Sequence, residues 1–314
     1  MKVGFIRVVE NTRLYGNTYI TWFSPYARDG SLDGGARPST GSGRTDQGRS
    51  SSGSFLSGAT PGQFLMLRCA DLMAGASESP SAAGLADDPL LPRAMSYHRV
   101  RDPSTGLRSG GSDGPEFSIL YDVVGRGTAW LARRNAGDAV YAWGPLGRGY
   151  SLPRGGRGQN LLLVGGGIGI APLLWLADEA VARGHSVVLL DGARDAEGVF
   201  PADLVPNEVE VVVTTQDGSQ GRQGLVTDAF MDYYAWADQT YLCGPNPMFA
   251  AIADVLRANE TPGRNRRRKP VQALLESPMG CGTGICYGCA VFDRRGEPRL
   301  VCKEGPRFEL RDVF

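Results

Sequence analysis

Three cysteines crowd into one glycine-rich loop near the end of the chain, Met279-Gly-Cys-Gly-Thr-Gly-Ile-Cys-Tyr-Gly-Cys289, and a fourth follows at Cys302. Four residues separate Cys281 from Cys286, two separate Cys286 from Cys289, and twelve lie between Cys289 and Cys302. That spacing suits four thiolates around a two-iron, two-sulfur (2Fe-2S) cluster, so these four cysteines are the candidate metal ligands. Gly280, Gly282, Gly284 and Gly288 let such a loop turn tightly and aim backbone N–H groups at inorganic sulfur. Structural zinc also takes four cysteines, but its knuckles usually come as two pairs, which three cysteines in one loop fit less well. The chain opens Met-Lys-Val-Gly-Phe with no apolar signal core, so its six cysteines point to metal or redox use rather than to bridges.

At 314 residues with 42% hydrophobic side chains, the chain can fill two compact domains and a small appendage. Lys and Arg total 33 and so do Asp and Glu, which leaves no global field to draw nucleic acid or a membrane surface. Apolar runs are strand-length, well short of the roughly 18 residues of a membrane span. The expectation is a soluble cytoplasmic protein.

Residues 2–9 and 18–23 are β-branched and aromatic runs that read as strands, as do 63–69, 93–100, 117–124 and 139–143. Glycine- and serine-rich inserts at 24–60, 74–89 and 102–115 have almost nothing to bury and read as disordered or mobile excursions. Short strands without a convincing amphipathic helix predict a small antiparallel barrel over 1–155. From Leu161 the pattern alternates: strand 161–164, glycine turn 165–169, helix 171–183, strands 186–190 and 209–214, helix 225–237, strand 240–243, helix 246–259. Alternation predicts a parallel sheet with helices on both faces over 156–263. The basic run 264–269 then reads as a solvated connector, or as a docking element for an acidic partner, leading through 271–276 to a cluster module ending at 314.

The turn Gly165-Gly-Gly-Ile-Gly169 follows a strand and opens a helix, where backbone N–H groups and the helix dipole can receive a pyrophosphate, although it is not the full GxGxxG fingerprint. Arg93-Ala-Met-Ser96, Gly125-Arg-Gly-Thr128, Gly144-Pro-Leu-Gly147 and Cys243-Gly-Pro-Asn-Pro-Met248 are each weak alone. Taken in order, they resemble the ferredoxin reductase-like flavoproteins. The cysteine loop with Val301-Cys-Lys-Glu-Gly-Pro306 resembles, more narrowly, the electron-transfer subunits of the NAD-dependent, two-subunit dihydroorotate dehydrogenases.

The resemblance implies an antiparallel FAD-binding barrel, a parallel-sheet NAD-binding domain and a C-terminal iron-sulfur module. It implies that Arg93 holds the FAD pyrophosphate, Ser96 bonds the isoalloxazine, and Gly127 and Thr128 lie along the FAD phosphates. Gly166, Gly167 and Gly169 would approach the nicotinamide nucleotide, with Cys243 and Gly244 beside the nicotinamide. It further implies a heterotetramer, two copies each of this chain and of an FMN-containing catalytic subunit, with electrons passing from FMN through the cluster and FAD to NAD. Ala94 and Met95 depart from the bulkier or proline residues expected beside Arg93, and the inserts have no counterpart. Asp191 or Asp195 could bond a ribose hydroxyl and favour NAD, with Arg194 beside them arguing the other way. His98 and His185 form no cluster and receive no catalytic role, and Cys69 reads as a core residue. A reductase component feeding an oxygenase would use the same chemistry, although the C-terminal segment is short for a full ferredoxin domain. A zinc-bound or redox-sensing interaction module is the more distant alternative.

Overall fold

The computed structural model describes residues 1–24, 55–70, 91–101, 115–153, 158–259 and 268–314. The insert expected at 74–89, all but Pro115 of the one expected at 102–115, most of the one at 24–60, and residues 264–267 of the basic run lie outside these.

The first half is one curled antiparallel sheet. Its strands are β1 (Lys2–Tyr15), β2 (Thr18–Ser24), β3 (Phe64–Arg68), β4 (Arg93–Ser96), β5 (Arg99–Arg101), β6 (Glu116–Asp122) and β7 (Ala139–Leu146). They run in the order β4-β3-β7-β1-β2-β6-β5. The β4 edge curls back toward β6 without a hydrogen-bonded seam, so the expected barrel is a half-barrel. Alternation explains its faces: in β7 every second side chain is buried, placing Val140, Ala142 and Leu146 inward. The expectation of no helix here is corrected by α1 (Arg126–Ala132), which packs Trp130 and Leu131 into the same core. Within the stretch expected as an insert, Phe55 is buried and its carbonyl accepts the Tyr97 hydroxyl at 3.0 Å.

The second half is a doubly wound sheet. Its elements are β8 (Asn160–Gly166), α2 (Ala171–Ala182), β9 (Ser186–Ala193), β10 (Val209–Thr215), β11 (Arg222–Gln223), α3 (Val226–Tyr234), β12 (Gln239–Cys243), α4 (Asn246–Asn259) and β13 (Val271–Leu274). A small hairpin, β14 (Ala290–Phe292) with β15 (Pro298–Leu300), precedes β16 (Arg307–Glu309) and α5 (Leu310–Val313). Strand order is β11-β10-β9-β8-β12-β13-β16, parallel except for β16. Burial on both faces is why β8 and β9 carry the apolar runs Leu161–Val164 and Val187–Leu190, and every residue of β12 is buried. Helix α2 covers one face, and α3 and α4 cover the other.

Several contacts lock the halves together. His98 Nδ1 lies 2.7 Å from the Ala171 carbonyl, so that nitrogen carries the proton, and burial pushes the imidazole down to about 4. Arg99 grips Asp178 with two hydrogen bonds, at 2.8 and 2.6 Å, and also donates to the Leu204 carbonyl at 2.6 Å. His185 accepts from the Gln159 N–H at 3.1 Å, a packing role. Cys69 sits in the half-barrel core, its thiol pushed up to about 12 by burial. Lys269, at the end of the basic run, caps α3 instead of facing water, donating to the Tyr234 and Ala235 carbonyls at 3.0 and 2.8 Å.

Candidate functional site

Two cavities meet at one short stretch of chain. Beyond the carboxyl end of β8 the backbone turns through the 3-10 segment Gly167–Ile170 into α2. Gly166 and Gly167 line one cavity, of about 410 Å³, and Ile168, Ala171 and Pro172 line the other, of about 310 Å³. Ligands in the two would therefore be separated by little more than this turn.

The 310 Å³ cavity lies between the half-barrel, α2 and the approach to the cysteine loop, with Ser96, Thr128, Glu276 and Met279 in its wall. Arg93 begins β4, and its guanidinium lies against Gly127: a Cβ on Gly127 would sit 2.6 Å from Arg93 Nε. Only glycine permits that approach, so the chain brings Arg93 and the first turn of α1 together as one polar cradle. The Thr128 hydroxyl accepts from Val124 N and Gly125 N at 3.0 and 3.2 Å, fixing that turn.

Glu276 is the residue that sequence reasoning missed. It follows β13, lines the cavity with Ser96, and burial pushes its carboxyl up. It also stands close enough to Cys243 for its charge to reinforce the effect of burial, which drives the Cys243 thiol well above the usual range. An acid two residues past a buried strand is its only sequence signal.

Gly166, Gly167 and Pro245 line the 410 Å³ cavity, whereas Gly169, Cys243 and Gly244 pack behind that lining. A Cβ on Gly169 would meet the Cys243 carbonyl oxygen at 2.3 Å, and one on Gly244 would meet Gly166 N at 3.1 Å. The glycine turn after β8 and the Cys243-Gly244 turn after β12 are thus in contact, main chain on main chain. Asp191 and Asp195 face elsewhere. Asp191 is buried and accepts from Phe200 N at 2.9 Å, while Asp195 caps the Gly198 N–H at 3.2 Å. Neither lines the cavity, which corrects the ribose role considered for them; Arg194 does line it.

The cysteines occupy one neighbourhood as two pairs. Cys281 and Cys286 share hydrogen bonds, as do Cys289 and Cys302, and among the described residues no three such donors converge on one point. The donor set otherwise fits an iron-sulfur cluster. Backbone N–H groups of Thr283, Gly288 and Cys302 already point at Cys281, Cys286 and Cys289 sulfur, at 3.3, 3.5 and 3.4 Å. Although burial opposes it, hydrogen bonds from Thr283 and Cys286 bring the Cys281 thiol down to about 5. Burial, then the bond with Cys289, holds Cys302 up to about 12.

The loop is anchored on the half-barrel. Trp143 Nε1 donates to the Cys281 carbonyl at 3.1 Å, and a Cβ on Gly282 would meet Met66 Cγ at 2.6 Å. The Gly144–Gly147 turn packs on Gly305-Pro306: a Cβ on Gly147 would lie 2.5 Å from Pro306 Cδ.

Residues 276–314 match the iron-sulfur cluster binding domain of dihydroorotate dehydrogenase B, and residues 163–254 match the oxidoreductase NAD-binding domain. A solved structure of NADH-dependent reduced ferredoxin-NADP oxidoreductase, described for flavin-based electron bifurcation, aligns with 100% of this chain and 91% of its own. Its TM-score is 0.69 at 24% identity, a likeness of fold. The dihydroorotate dehydrogenase B (NAD(+)) electron transfer subunit of Desulforamulus reducens is 35% identical over 256 residues, 80% of this chain and 85% of that one. Its counterpart from Bacillus caldolyticus is 37% identical over 228 residues, 72% of this chain and 81% of that one. Matched over more than four-fifths of each of these relatives, the chain belongs to the family of dihydroorotate dehydrogenase B electron transfer subunits.

Proposed function

We propose that this oxidoreductase subunit, whose cofactors are FAD, a 2Fe-2S cluster and NAD, carries electrons from an FMN-containing catalytic partner to NAD as dihydroorotate is oxidised to orotate. When bound, the cluster supplies one-electron steps and the flavin converts between these and hydride transfer. The chain's own residues position and insulate. Arg93 and the Gly127-Thr128 turn would hold the FAD pyrophosphate, with Ser96 at the isoalloxazine. Gly166, Gly167 and Gly169 would admit the dinucleotide close to the main chain, with Cys243 and Gly244 beside the nicotinamide. Cys281, Cys286, Cys289 and Cys302 would ligate the cluster.

The observation that carries this reading is the shared wall. Met279, two residues before Cys281, lines the same cavity as Ser96, and the loop is fixed to the half-barrel through Trp143 and Gly282. A short path from cluster to flavin is built into the chain, and the glycine turn continues it to the dinucleotide cavity. On the far side, Cys286 is exposed between Ile285 and Tyr287, which are 80% and 64% exposed. Apolar side chains presented around a ligand suit docking of the catalytic subunit, in a heterotetramer of two copies each.

The test is co-purification with the catalytic subunit and an assay of dihydroorotate-dependent NAD reduction. The expected result is activity from the complex, while this chain alone oxidises NADH with dyes and leaves dihydroorotate untouched. NADH–dye activity with no dihydroorotate activity even in the complex would move the chain to a general reductase role.

A further inference from the structure

A third cavity, of about 730 Å³, lies where the β14–β15 hairpin, β16, α5 and the turn after β7 meet, and it shares no lining residue with the other two. Six arginines and four carboxylates line it. Three of the carboxylates are already matched. Arg299 donates from Nε to Asp293 at 3.1 Å and from Nη1 to Glu304 at 3.0 Å, and Arg311 donates to Glu309 at 3.1 Å. Arg148, Arg294, Arg295 and Arg307 make no ion pair among the described residues, and of the lining carboxylates Asp312 alone remains to balance the four.

The backbones that carry these arginines are pinned. Arg148 N donates to the Gly305 carbonyl at 2.5 Å and Arg307 N to the Arg148 carbonyl at 3.3 Å, so half-barrel and edge strand set the two side by side. Arg307 Nε is taken by the Gly149 carbonyl at 3.1 Å, which leaves its terminal nitrogens for another partner. Arg294 N donates to the Asp312 carbonyl at 2.9 Å and Arg295 N to the Asp293 carboxylate at 2.9 Å, fixing the hairpin turn against α5. Guanidinium groups held around a concave space without counter-charge repel one another, and a bound anion relieves that repulsion. Their planar forks match phosphate oxygens two at a time. The volume is that of a small-ligand site, and four guanidiniums against one carboxylate suit an oligophosphate better than a single phosphate.

We propose that this cavity binds a linear triphosphate, free or carried on a nucleoside, with Arg148, Arg294, Arg295 and Arg307 as the residues that hold it. The site stands apart from the flavin and dinucleotide cavities and does not rest on how those are read. A ligand here joins Arg148 of the half-barrel to Arg307 of the sheet edge and to Arg294 and Arg295 of the hairpin. Cys302 lies in the segment between Arg299 and Arg307, so occupancy should stiffen the seat of the cysteine module.

The experiment is calorimetric titration of the FAD- and cluster-loaded protein with inorganic triphosphate, ATP and orthophosphate. Saturating NAD is present to fill the dinucleotide cavity, and cluster absorbance is followed throughout. Both triphosphates should bind at one site per chain, about ten-fold or more tighter than orthophosphate, with affinity falling as salt rises. They should also raise the melting temperature, as a ligand of the folded state does. R148A and the double variant R294A/R295A should each weaken triphosphate binding about 10- to 100-fold, the factor carried by charge-assisted contacts, while NADH–dye reduction persists. These side chains are exposed and have no protein partner to lose, and R148K should recover part of the affinity. Equal affinity for ATP and inorganic triphosphate would support recognition of the phosphates alone. Tighter binding of ATP would support the site with a nucleoside contact added at Phe308 and Val313. Absence of binding by either triphosphate would overturn the proposal, and so would affinity unmoved in both variants. Loss of assembly with the catalytic subunit in the variants, from a native chain that binds no triphosphate, would overturn it in favour of a docking face for an acidic protein.

Discussion

Gly169 has no room for a side chain, and the obstacle is main chain. The position of its Cβ lies 2.3 Å from the Cys243 carbonyl oxygen and 2.7 Å from Gly244 Cα, atoms that cannot rotate away. Gly169→Ala must therefore push the turns after β8 and β12 apart. Overpacking of this kind costs about 1–3 kcal/mol, and here it also shifts Gly166, Gly167 and Pro245 in the wall of the 410 Å³ cavity. Denaturant unfolding should show that loss together with a raised KM for NADH; native values for both would mean the turns are not in register. Asp191 gives a second residue-level expectation, in pH. Burial raises its carboxyl from 3.8 to about 6, against the opposing Phe200 hydrogen bond. The unfolded chain ionises at the ordinary value, so the neutral carboxyl favours the folded state. That contribution is complete below about pH 4, is lost as pH rises through about 6, and totals on the order of 3 kcal/mol. Asp191→Asn keeps an acceptor for Phe200 N and cannot ionise, so its melting temperature should exceed that of the native protein at pH 8 but not at pH 4. Equal shifts at both would show that Asp191 does not titrate there.

Elements differed in how plainly they could be read from sequence, for physical reasons. The run Leu161–Val164, the glycines after it and the apolar helix beginning at Ala171 each carry a periodic or compositional signal, and β8, the turn and α2 follow them closely. Helix α1 carries none. It is seven residues long with Gly127 in its first turn, a poor helix former, and is stabilised by burial of Trp130 and Leu131 in the half-barrel. Cysteine spacing made the cluster loop legible, whereas Glu276 is one acid at a strand end whose meaning comes from Ser96 and Cys243 arriving beside it in space. Asp191 misled for the converse reason: its position after β9 suits a ribose, but Phe200 N takes its carboxylate inward. Trp143 also escaped the sequence, because alternation along β7 shows which way it faces and not what it meets. Its indole donates to the Cys281 carbonyl. Trp143→Phe keeps a ring and removes the donor, worth about 0.5–1.5 kcal/mol of loop stability. The variant should lose its cluster faster to a chelator and show an altered cluster spectrum, while NADH–dye reduction persists. Indistinguishable release rates would assign the tie no role in holding the loop.

The half-barrel keeps a core of its own around Leu65, Leu67 and Phe117, yet half-barrel, parallel sheet and cysteine loop also share a buried cluster. Phe64, Met66 and Leu146 of the first belong to one buried cluster with Leu242, Val271 and Ala273 of the second and with Leu300, Val301 and Cys302 of the third. The chain after Cys302 then returns to the sheet as its edge strand, β16 pairing with β13. The matched iron-sulfur domain spans residues 276–314, close to the size of about 40 residues below which a chain rarely folds without metal or partner. Its ordering therefore draws on two sources, ligation at the four cysteines and packing on the other two bodies, and ligation energy is also folding energy. Because the buried seam is continuous, that energy should be felt by the sheet and half-barrel as well. Scanning calorimetry of the FAD-loaded protein, before and after the cluster is stripped by a chelator, tests this. The expected outcome is a single transition that moves down as a unit. Two resolved transitions, the upper one unmoved by stripping, would instead make the cysteine loop an independently melting appendage, and the path from cluster to flavin would then depend on a docked loop rather than on a shared core.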